Sequence, residues 1–294
     1  MIHRSPAVTL IGAALILLFT GGPVLLALYG SLVPDRLLLN PDLSIIDRPL
    51  TLETYRYVFT GELPASYQQR GANRAMISDA ARQVPLSIWN SARIALATMA
   101  LNILLGAPAA FLFARYVFPG KKVSFLFLIL SPLVPAAALI TPIYIMMQAL
   151  GLTGSVFGII LVHTARSLPF TVLILSVFFR KIPVELFEAA GLEGCSTFQI
   201  FRHIAVPLAL PSIGATALFA FMLSYSEYMF SMVLSGDASA RPVSVVMAAL
   251  ARNTDVSWSL LNTGIFIAIL PTLALVALVW RFVVEGLLSG GMEG

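Results

Sequence analysis

The sequence has few charged residues, a single cysteine and no nucleotide-binding motif. Only 11% of its 294 residues are charged and 59% are hydrophobic, whereas soluble domains carry about 25% charged residues. The lone Cys195 excludes an internal disulfide and a metal cluster built from several cysteines. No Gly-rich stretch followed by Lys and Ser or Thr is present, so any ATP chemistry must come from another chain. This composition is typical of an integral membrane protein.

Residue patterns for catalysis are also missing. Outside the apolar stretches, the sequence has no His and Glu array for a metal, no Ser, His and Asp order and no carboxylate pair at useful spacing. The net charge of +4 comes from basic residues scattered through the loops, a pattern that does not indicate nucleic-acid binding. We therefore expect no catalytic residue, no metal and no cofactor in this chain.

Long hydrophobic stretches are what the sequence does contain. Each of six is long enough to cross about 30 Å of hydrocarbon as a helix. They are 7–32, 92–114, 123–147, 156–179, 212–234 and 264–284. The pattern predicts an all-α membrane protein with about six transmembrane helices. We expect a single transmembrane domain over 1–294, with the core spans at about 92–284.

Prolines are expected to disturb two of these stretches. The third contains Pro132, Pro135 and Pro142, too many for a straight helix. Prolines free backbone carbonyl groups, which a membrane tolerates only against other helices or water. In the first stretch, the Gly-Gly-Pro sequence at 21–23 should kink or loosen the helix.

The long polar interruption in the second half of the chain is 182–211. Pro183 suits the first turn of a helix, and Gly194 can end that helix. Ser196, with Gln199 three residues later, has the spacing of a capping box and can begin a second helix. We predict two short helices joined by a turn.

The order of residues in this loop resembles the cytoplasmic loop of permease subunits in ABC importers. Glu188-Ala189-Ala190 is followed after three residues by Gly194, and Ile204 and Val206-Pro207 follow at the family's spacing. The family usually has Leu where this chain has Val206. The preceding residues 178–183 (FFRKIP) are similar to the sugar-importer branch of the maltose type. A generic amphipathic hairpin between two spans is the other interpretation of this loop.

In that family the loop holds a coupling helix, which docks in a cleft of the ATPase subunit. The resemblance therefore implies a type I ABC importer permease fold, with 182–211 on the cytoplasmic side and 33–91 as an extracytoplasmic loop. It assigns ATPase coupling to Glu185, Glu188, Ala189, Ala190 and Gly194. The small side chains of the two alanines would let a partner surface approach the backbone closely.

The resemblance also implies partners and a location. A second homologous permease would complete the path through the lipid bilayer, and an ATPase dimer would bind ATP and Mg²⁺. An extracytoplasmic binding protein would deliver the substrate. The implied location is the bacterial cytoplasmic (inner) membrane, which the chain would cross several times.

Polar residues in the fourth and fifth stretches are candidates for the substrate path. A lone carboxylate in an apolar helix indicates a functional site, and aromatic faces with few polar groups suit a sugar. The candidates are Glu227, Tyr225, Ser226, Tyr228, His163 and Arg166. Two other interpretations stay open. Glu227 can instead hydrogen-bond a neighbouring span, and His163 and Arg166 can instead lie near the outer mouth and reach the interface.

Two further segments bear on the resemblance. The stretch 61–85 is longer than the family usually has. Residues 285–294 resemble the family's Gly-rich tail, which in maltose-type systems can reach toward the ATPase dimer, but Glu293 stands where a Lys is common.

The predicted function is ATP-driven import of a mono-, di- or oligosaccharide or a related glycoside or polyol. Permeases for glycerol phosphate, amino acids or peptides remain open within the same family. A rival is a secondary transporter driven by protons through Glu227 and His163, which leaves 182–211 unexplained. A membrane scaffold that recruits an ATPase without transporting is a second rival.

Overall fold

The computed structural model describes residues 6–38, 40, 42, 44, 47–62, 79–252 and 257–291. This part of the chain is helical and contains no β-strand, in agreement with the all-α prediction. The helices are α1 (Pro6–Leu32), α2 (Asp35–Leu38), α3 (Glu53–Thr60), α4 (Asp79–Arg82), α5 (Val84–Arg115), α6 (Lys121–Leu130), α7 (Ala136–Ala149), α8 (Val156–Lys181), α9 (Val184–Leu192), α10 (Thr197–Ile200), α11 (Val206–Leu208), α12 (Leu210–Tyr225), α13 (Met229–Leu234), α14 (Val243–Arg252) and α15 (Trp258–Gly291). A 3₁₀ turn, Ser131–Leu133, follows α6, and a π-helical turn, Phe201–Ala205, joins α10 to α11.

Up to six membrane crossings can be laid out along the described helices. Four are single helices by length and apolar composition: Leu10–Leu32, Val84–Arg115, Val156–Lys181 and Trp258–Trp280. Two bent pairs pass the same test of length and composition when each is taken together, Lys121–Leu133 with Ala136–Ala149 and Thr197–Leu208 with Leu210–Tyr225, and the first helix of the second pair belongs to the loop 182–211. The helices of these pairs meet at 104° and 81°, respectively. The first break lies among the prolines of the third stretch, as predicted.

Some helix bounds differ from the predicted ones. Helix α5 begins at Val84, not at 92, because Pro85 fits the first helical turn, where a missing N–H costs nothing. The stretch 212–234 is not one helix, since it is divided after Tyr225 into α12 and α13. Helix α1 continues through 21–23, so the predicted loosening does not unwind it.

The first of two compact units comprises Met1–Leu86 and Val246–Leu270. Hydrogen bonds from buried hydroxyl groups connect its helices. Thr54 Oγ1 donates to the carbonyl oxygen of Ser31 at 2.9 Å, and Thr263 Oγ1 donates to Thr54 Oγ1 at 2.7 Å. Ser259 Oγ donates to the carbonyl oxygen of Val33 at 2.6 Å. These bonds satisfy polar groups that burial removes from water.

The second unit comprises Ser87–Val245 and Pro271–Gly294 and holds both candidate sites. One apolar core includes Leu175 and Phe179, and another includes Ile159 and Val162. All four belong to α8, which has 26 residues. A single continuous helix therefore joins the two cores.

Some predictions fall outside the described residues. Most of the long stretch 61–85 does so, because 63–78 are not described, and so does Glu293 in the tail. The assignment of 1–294 to one transmembrane domain stays a prediction.

Candidate functional site

The loop at 182–211 contains the two predicted helical segments joined by a turn: α9, and the segment Thr197–Leu208 that comprises α10, the π-helical turn and α11. Helix α9 begins after Pro183 and ends at Leu192, and Gly194 has a φ of +84°. This left-handed conformation is one that glycine adopts without steric cost. Ser196 and Gln199 form the predicted capping box at the start of α10.

One side of α9 is open to solvent. Glu185, Glu188, Ala189 and Leu192 are exposed and recur at helical spacing, with Leu192 90% exposed. Ala190 lies on the opposite side and is buried in the apolar core at 7% exposure. The expectation that both alanines are accessible to a partner is therefore wrong for Ala190, because that side of α9 packs on the helices beneath it.

The side chain of Arg115, the last residue of α5, joins three helices. Its guanidinium donates hydrogen bonds to the carbonyl oxygens of Phe179 and Ile182 at the end of α8. The same group lies over the ring of Phe187 in α9, 4.5 Å from its centre. The last carbonyl groups of a helix have no partner within it, so Arg115 satisfies two of them while holding α9 in place.

An aromatic cluster centred on Phe111 of α5 supports the same contact. The Phe111 ring centre lies 5.7 Å from that of Phe179, 5.9 Å from that of Phe187 and 5.4 Å from that of Phe201. Phe111 is 2% exposed. Both halves of the loop thus pack against one residue of α5, and interiors packed this closely transmit displacement.

The second candidate site lies at the break between α12 and α13, where Glu227 accepts backbone hydrogen bonds. Its Oε1 accepts from the Phe230 N–H at 3.0 Å, and its Oε2 accepts from the Ser231 N–H at 2.9 Å and the Ser231 hydroxyl at 3.0 Å. The first N–H groups of a helix lack partners within it. Glu227 therefore caps α13.

His163 of α8 links that carboxylate to a neighbouring span. Its Nε2 lies 3.1 Å from Glu227 Oε2, and its Nδ1 lies 2.8 Å from Ser224 Oγ. A carboxylate accepts hydrogen bonds, so we infer that Nε2 carries the proton directed at Glu227 and that Nδ1 accepts from Ser224. The His163 side chain is 1% exposed. It faces protein, and the interpretation that it reaches the outer interface is wrong.

Arg166, one turn along α8 from His163, has weaker partners. Its Nη1 lies 4.0 Å from Glu227 Oε1, and its guanidinium carbon lies 5.0 Å from the centre of the Phe230 ring. Its side chain is 43% exposed, whereas that of Glu227 is 12% exposed. The structure therefore brings His163, Arg166 and Glu227 together.

A cavity of about 60 Å³ adjoins these three residues, with Ser224 and Phe170 also in its lining. The other three substrate-path candidates do not line it. Tyr225 is buried and stacks on Phe221, the Ser226 hydroxyl donates to the carbonyl oxygen of Met222, and the Tyr228 hydroxyl lies 2.8 Å from the Met232 sulfur. Their role in a substrate path stays a prediction.

Sequence reasoning missed a buried polar ladder between α5 and α8. Asn102 Nδ2 donates to Ser167 Oγ at 2.7 Å, and Thr171 Oγ1 donates to Asn102 Oδ1 at 3.1 Å. Ser167 Oγ in turn donates to the carbonyl oxygen of His163 at 2.7 Å. The only signal in the sequence is the occurrence of Asn, Ser and Thr in apolar stretches.

The described residues include no group of three or more His, Cys, Asp or Glu side chains placed to hold a metal ion.

The chain matches a family model over residues 102–287, described as the inner membrane component of binding-protein-dependent transport systems. The matched range includes the loop at 182–211, Glu227 and His163. It covers more than half of the chain.

Two named proteins are similar to this chain over more than two thirds of its length. The chain is 29% identical over 255 residues to a trehalose transport system permease protein of Mycobacterium tuberculosis, covering 86% of each chain. It is 30% identical to a diacetylchitobiose uptake system permease protein of Streptomyces coelicolor, covering 69% of this chain and 67% of that one.

A solved structure has the same fold. It is a bacterial ABC transporter involved in the import of the acidic polysaccharide alginate. The match has a TM-score of 0.70 at 17% identity and covers 96% of this chain and 99% of the other. The fold is thus that of an ABC importer permease.

Proposed function

Because this chain belongs to the family of inner membrane components of binding-protein-dependent transport systems, we propose that it carries a saccharide across the membrane as one permease of an ATP-driven importer. A binding protein outside the cell delivers the saccharide, and a second permease completes the path. ATP and Mg²⁺ are bound by partner ATPase subunits, and this chain itself binds no cofactor. The importer lies in the bacterial inner membrane.

The family match across the loop is the observation that carries this proposal. The matched range 102–287 contains α9, and α9 has an exposed face backed by Arg115 and Phe111. A helix that is open on one side and tightly packed on the other can bind a partner and pass on its displacement. In the proposal, that partner is the ATPase, and the exposed residues Glu185, Glu188 and Ala189 contact it.

Gly194 has a separate role in the proposal. It lies in the turn that separates α9 from α10, and a Cβ atom added there would meet no other atom within 4 Å. The turn is therefore free for a partner surface, and the left-handed backbone sets the angle between the two loop helices.

The proposed substrate class rests on the relatives. The similar proteins of M. tuberculosis and S. coelicolor are named for trehalose and diacetylchitobiose, both of which are saccharides. A solute such as glycerol phosphate remains an alternative within the same transport class.

Co-purification tests the proposal. The tagged chain is isolated from its native membrane, the accompanying proteins are identified, and ATP hydrolysis is measured with a panel of saccharides. The panel contains neutral members and members that bear a carboxylate, sulfonate or phosphate, together with glycerol phosphate. Each is added with the co-encoded binding protein.

Recovery of a second permease and an ATPase, with hydrolysis raised by one saccharide, is the expected result. A chain that purifies alone and moves solute without ATP would overturn the proposal. If glycerol phosphate alone raises ATP hydrolysis, the chain is still part of an importer, but its substrate is glycerol phosphate and not a saccharide.

A further inference from the structure

Arg166 places a positive charge deep within a membrane span. It lies ten residues after Val156 and fifteen before Lys181 in α8. At 1.5 Å per residue it is therefore about 15 Å from one end of the helix and about 22 Å from the other. An arginine at that depth is costly in lipid and faces either protein or a water-filled path.

The nearest carboxylate does not satisfy this guanidinium. Both oxygens of Glu227 already accept hydrogen bonds from Phe230 and Ser231, and Oε2 also faces His163. Arg166 Nη1 is 4.0 Å from Oε1, beyond hydrogen-bond distance. Within the described part of the chain, the guanidinium makes no hydrogen bond, although it has five N–H donors.

Arg166 borders a second, larger cavity. This cavity has a volume of about 380 Å³ and lies between the bent third span and α8. Its walls are mainly apolar and include Leu139, Met146, Ala165 and Phe170. The volume is within the range of small-molecule sites, and apolar walls strengthen the field of a charge at their edge.

We propose that Arg166 binds an anionic group on the transported solute, so that the importer carries an acidic saccharide bearing a carboxylate, sulfonate or phosphate. This inference rests on the proposed function and specifies its substrate class. A guanidinium presents a rigid fork of donors that matches such anions in two parallel hydrogen bonds. A neutral sugar offers hydroxyl groups but no negative charge to pair with the guanidinium.

The first experiment measures the charge preference of the cavity without needing the solute. In the assembled complex, Cys195→Ser removes this chain's natural thiol, and Ala165→Cys places a new one beside Arg166. Two methanethiosulfonate reagents are compared, the anionic sulfonatoethyl and the cationic trimethylammonioethyl compound. The rate at which each reagent labels the new thiol is measured from the increase in mass of this chain. Each rate is divided by the rate of the same reagent with a free thiol.

The ratio of anionic to cationic labelling should fall about tenfold when Arg166→Gln is added, as loss of a nearby charge predicts. Arg180→Gln is the matched control, because it removes the same charge about 21 Å away along α8, beyond the screening length at physiological salt. It should leave the ratio unchanged. Equal ratios with and without Arg166, or a thiol that neither reagent reaches, would overturn the inference.

The second experiment uses the solute found by the hydrolysis screen. That solute should be one of the acidic members of the panel, and Arg166→Gln should reduce its uptake about tenfold or more. Arg166→Lys keeps the positive charge but loses the planar pair of N–H donors, and it should retain part of the uptake. A neutral solute whose uptake is unaffected by Arg166→Gln would overturn the inference about Arg166 but not the proposed function as an importer. If no saccharide raises hydrolysis, the proposed function fails, and the labelling ratio still decides the charge preference.

Discussion

The guanidinium of Arg115 lies 4.5 Å from the centre of the Phe187 ring, so the end of α5 contacts the first helix of the loop. The same side chain bonds to the carbonyl oxygens that end α8. A displacement of α9 therefore acts on two spans at once. This contact would carry ATPase movement into the membrane in the proposed importer.

Replacing Arg115 should uncouple ATP hydrolysis from transport. Arg115→Ala removes the hydrogen bonds and the ring contact, so α9 can move without α5. We expect the complex to assemble and the number of ATP molecules hydrolysed per solute imported to rise severalfold in proteoliposomes. Arg115→Lys keeps the charge but loses the planar fork, and its ratio should be intermediate. A wild-type ratio in Arg115→Ala would contradict this mechanism.

Gly194→Asp should also uncouple the importer. The residue has a φ of +84°, where a side chain costs about 1 kcal/mol, and the new carboxylate would enter the surface proposed to meet the ATPase. Because an added Cβ meets no atom within 4 Å, membrane insertion should be normal. Gly194→Asn has the same shape without the charge, and its loss of uptake should be smaller. Normal uptake by Gly194→Asp would show that the turn does not meet a partner.

Glu227 should be needed for stability. Glu227→Ala leaves the N–H groups of Phe230 and Ser231 without acceptors, at about 1–3 kcal/mol for each buried group. Glu227→Gln retains one acceptor oxygen. Thermal unfolding of the purified complex should therefore give midpoints in the order wild type, Gln, Ala. Equal midpoints would mean that other groups cap α13.

Uptake should continue when the proton gradient is collapsed at constant ATP. His163 and Glu227 are bonded to each other and to Ser224 and Ser231, which suits a fixed link between spans. The test is solute uptake in proteoliposomes that contain ATP, with and without an ionophore. Loss of uptake with the ionophore would favour proton-driven transport through this pair.

A methyl group at Gly106 should destabilise the contact between α5 and α8. A Cβ atom there would lie 2.6 Å from Cγ2 of Thr171, so the Thr171 side chain or one of the two helices must shift. We expect Gly106→Ala to lower the stability of the purified complex by about 1–3 kcal/mol, measured by thermal unfolding. Gly12→Ala is a matched control, because an added Cβ there meets nothing within 4 Å.

A second substitution tests whether that collision is the cause. Thr171→Ser removes Cγ2 and keeps the hydroxyl that bonds to Asn102. Combined with Gly106→Ala, it should restore much of the lost stability. If the double variant is no more stable than Gly106→Ala, the helices are separated by a different contact.

Features encoded by neighbouring residues could be predicted from the sequence. The capping box of Ser196 and Gln199 needs only three residues of separation, and the end of the helix near Gly194 needs only that residue's lack of a side chain. The break near Pro132 and Pro135 follows from the missing N–H groups of proline. Such local signals depend little on the rest of the fold.

Features that depend on distant residues could not be predicted. His163 and Glu227 are 64 positions apart, and the sequence left open whether the carboxylate bonds a span or a substrate. The orientation of Ala190 was missed because α9 has protein beneath it, so a small residue suits the buried side as well as the exposed one. Tertiary packing decides such positions.

The break between α12 and α13 supplies its own hydrogen-bond partners, since Glu227 accepts the amide hydrogens of Phe230 and Ser231. Non-helical backbone in a bilayer otherwise depends on water or on other protein. These two amide groups are therefore satisfied within this chain, with no contribution from another subunit. Arg166 differs from this break, because its guanidinium makes no hydrogen bond to the described residues and has only the more distant Glu227 carboxylate and the Phe230 ring beside it.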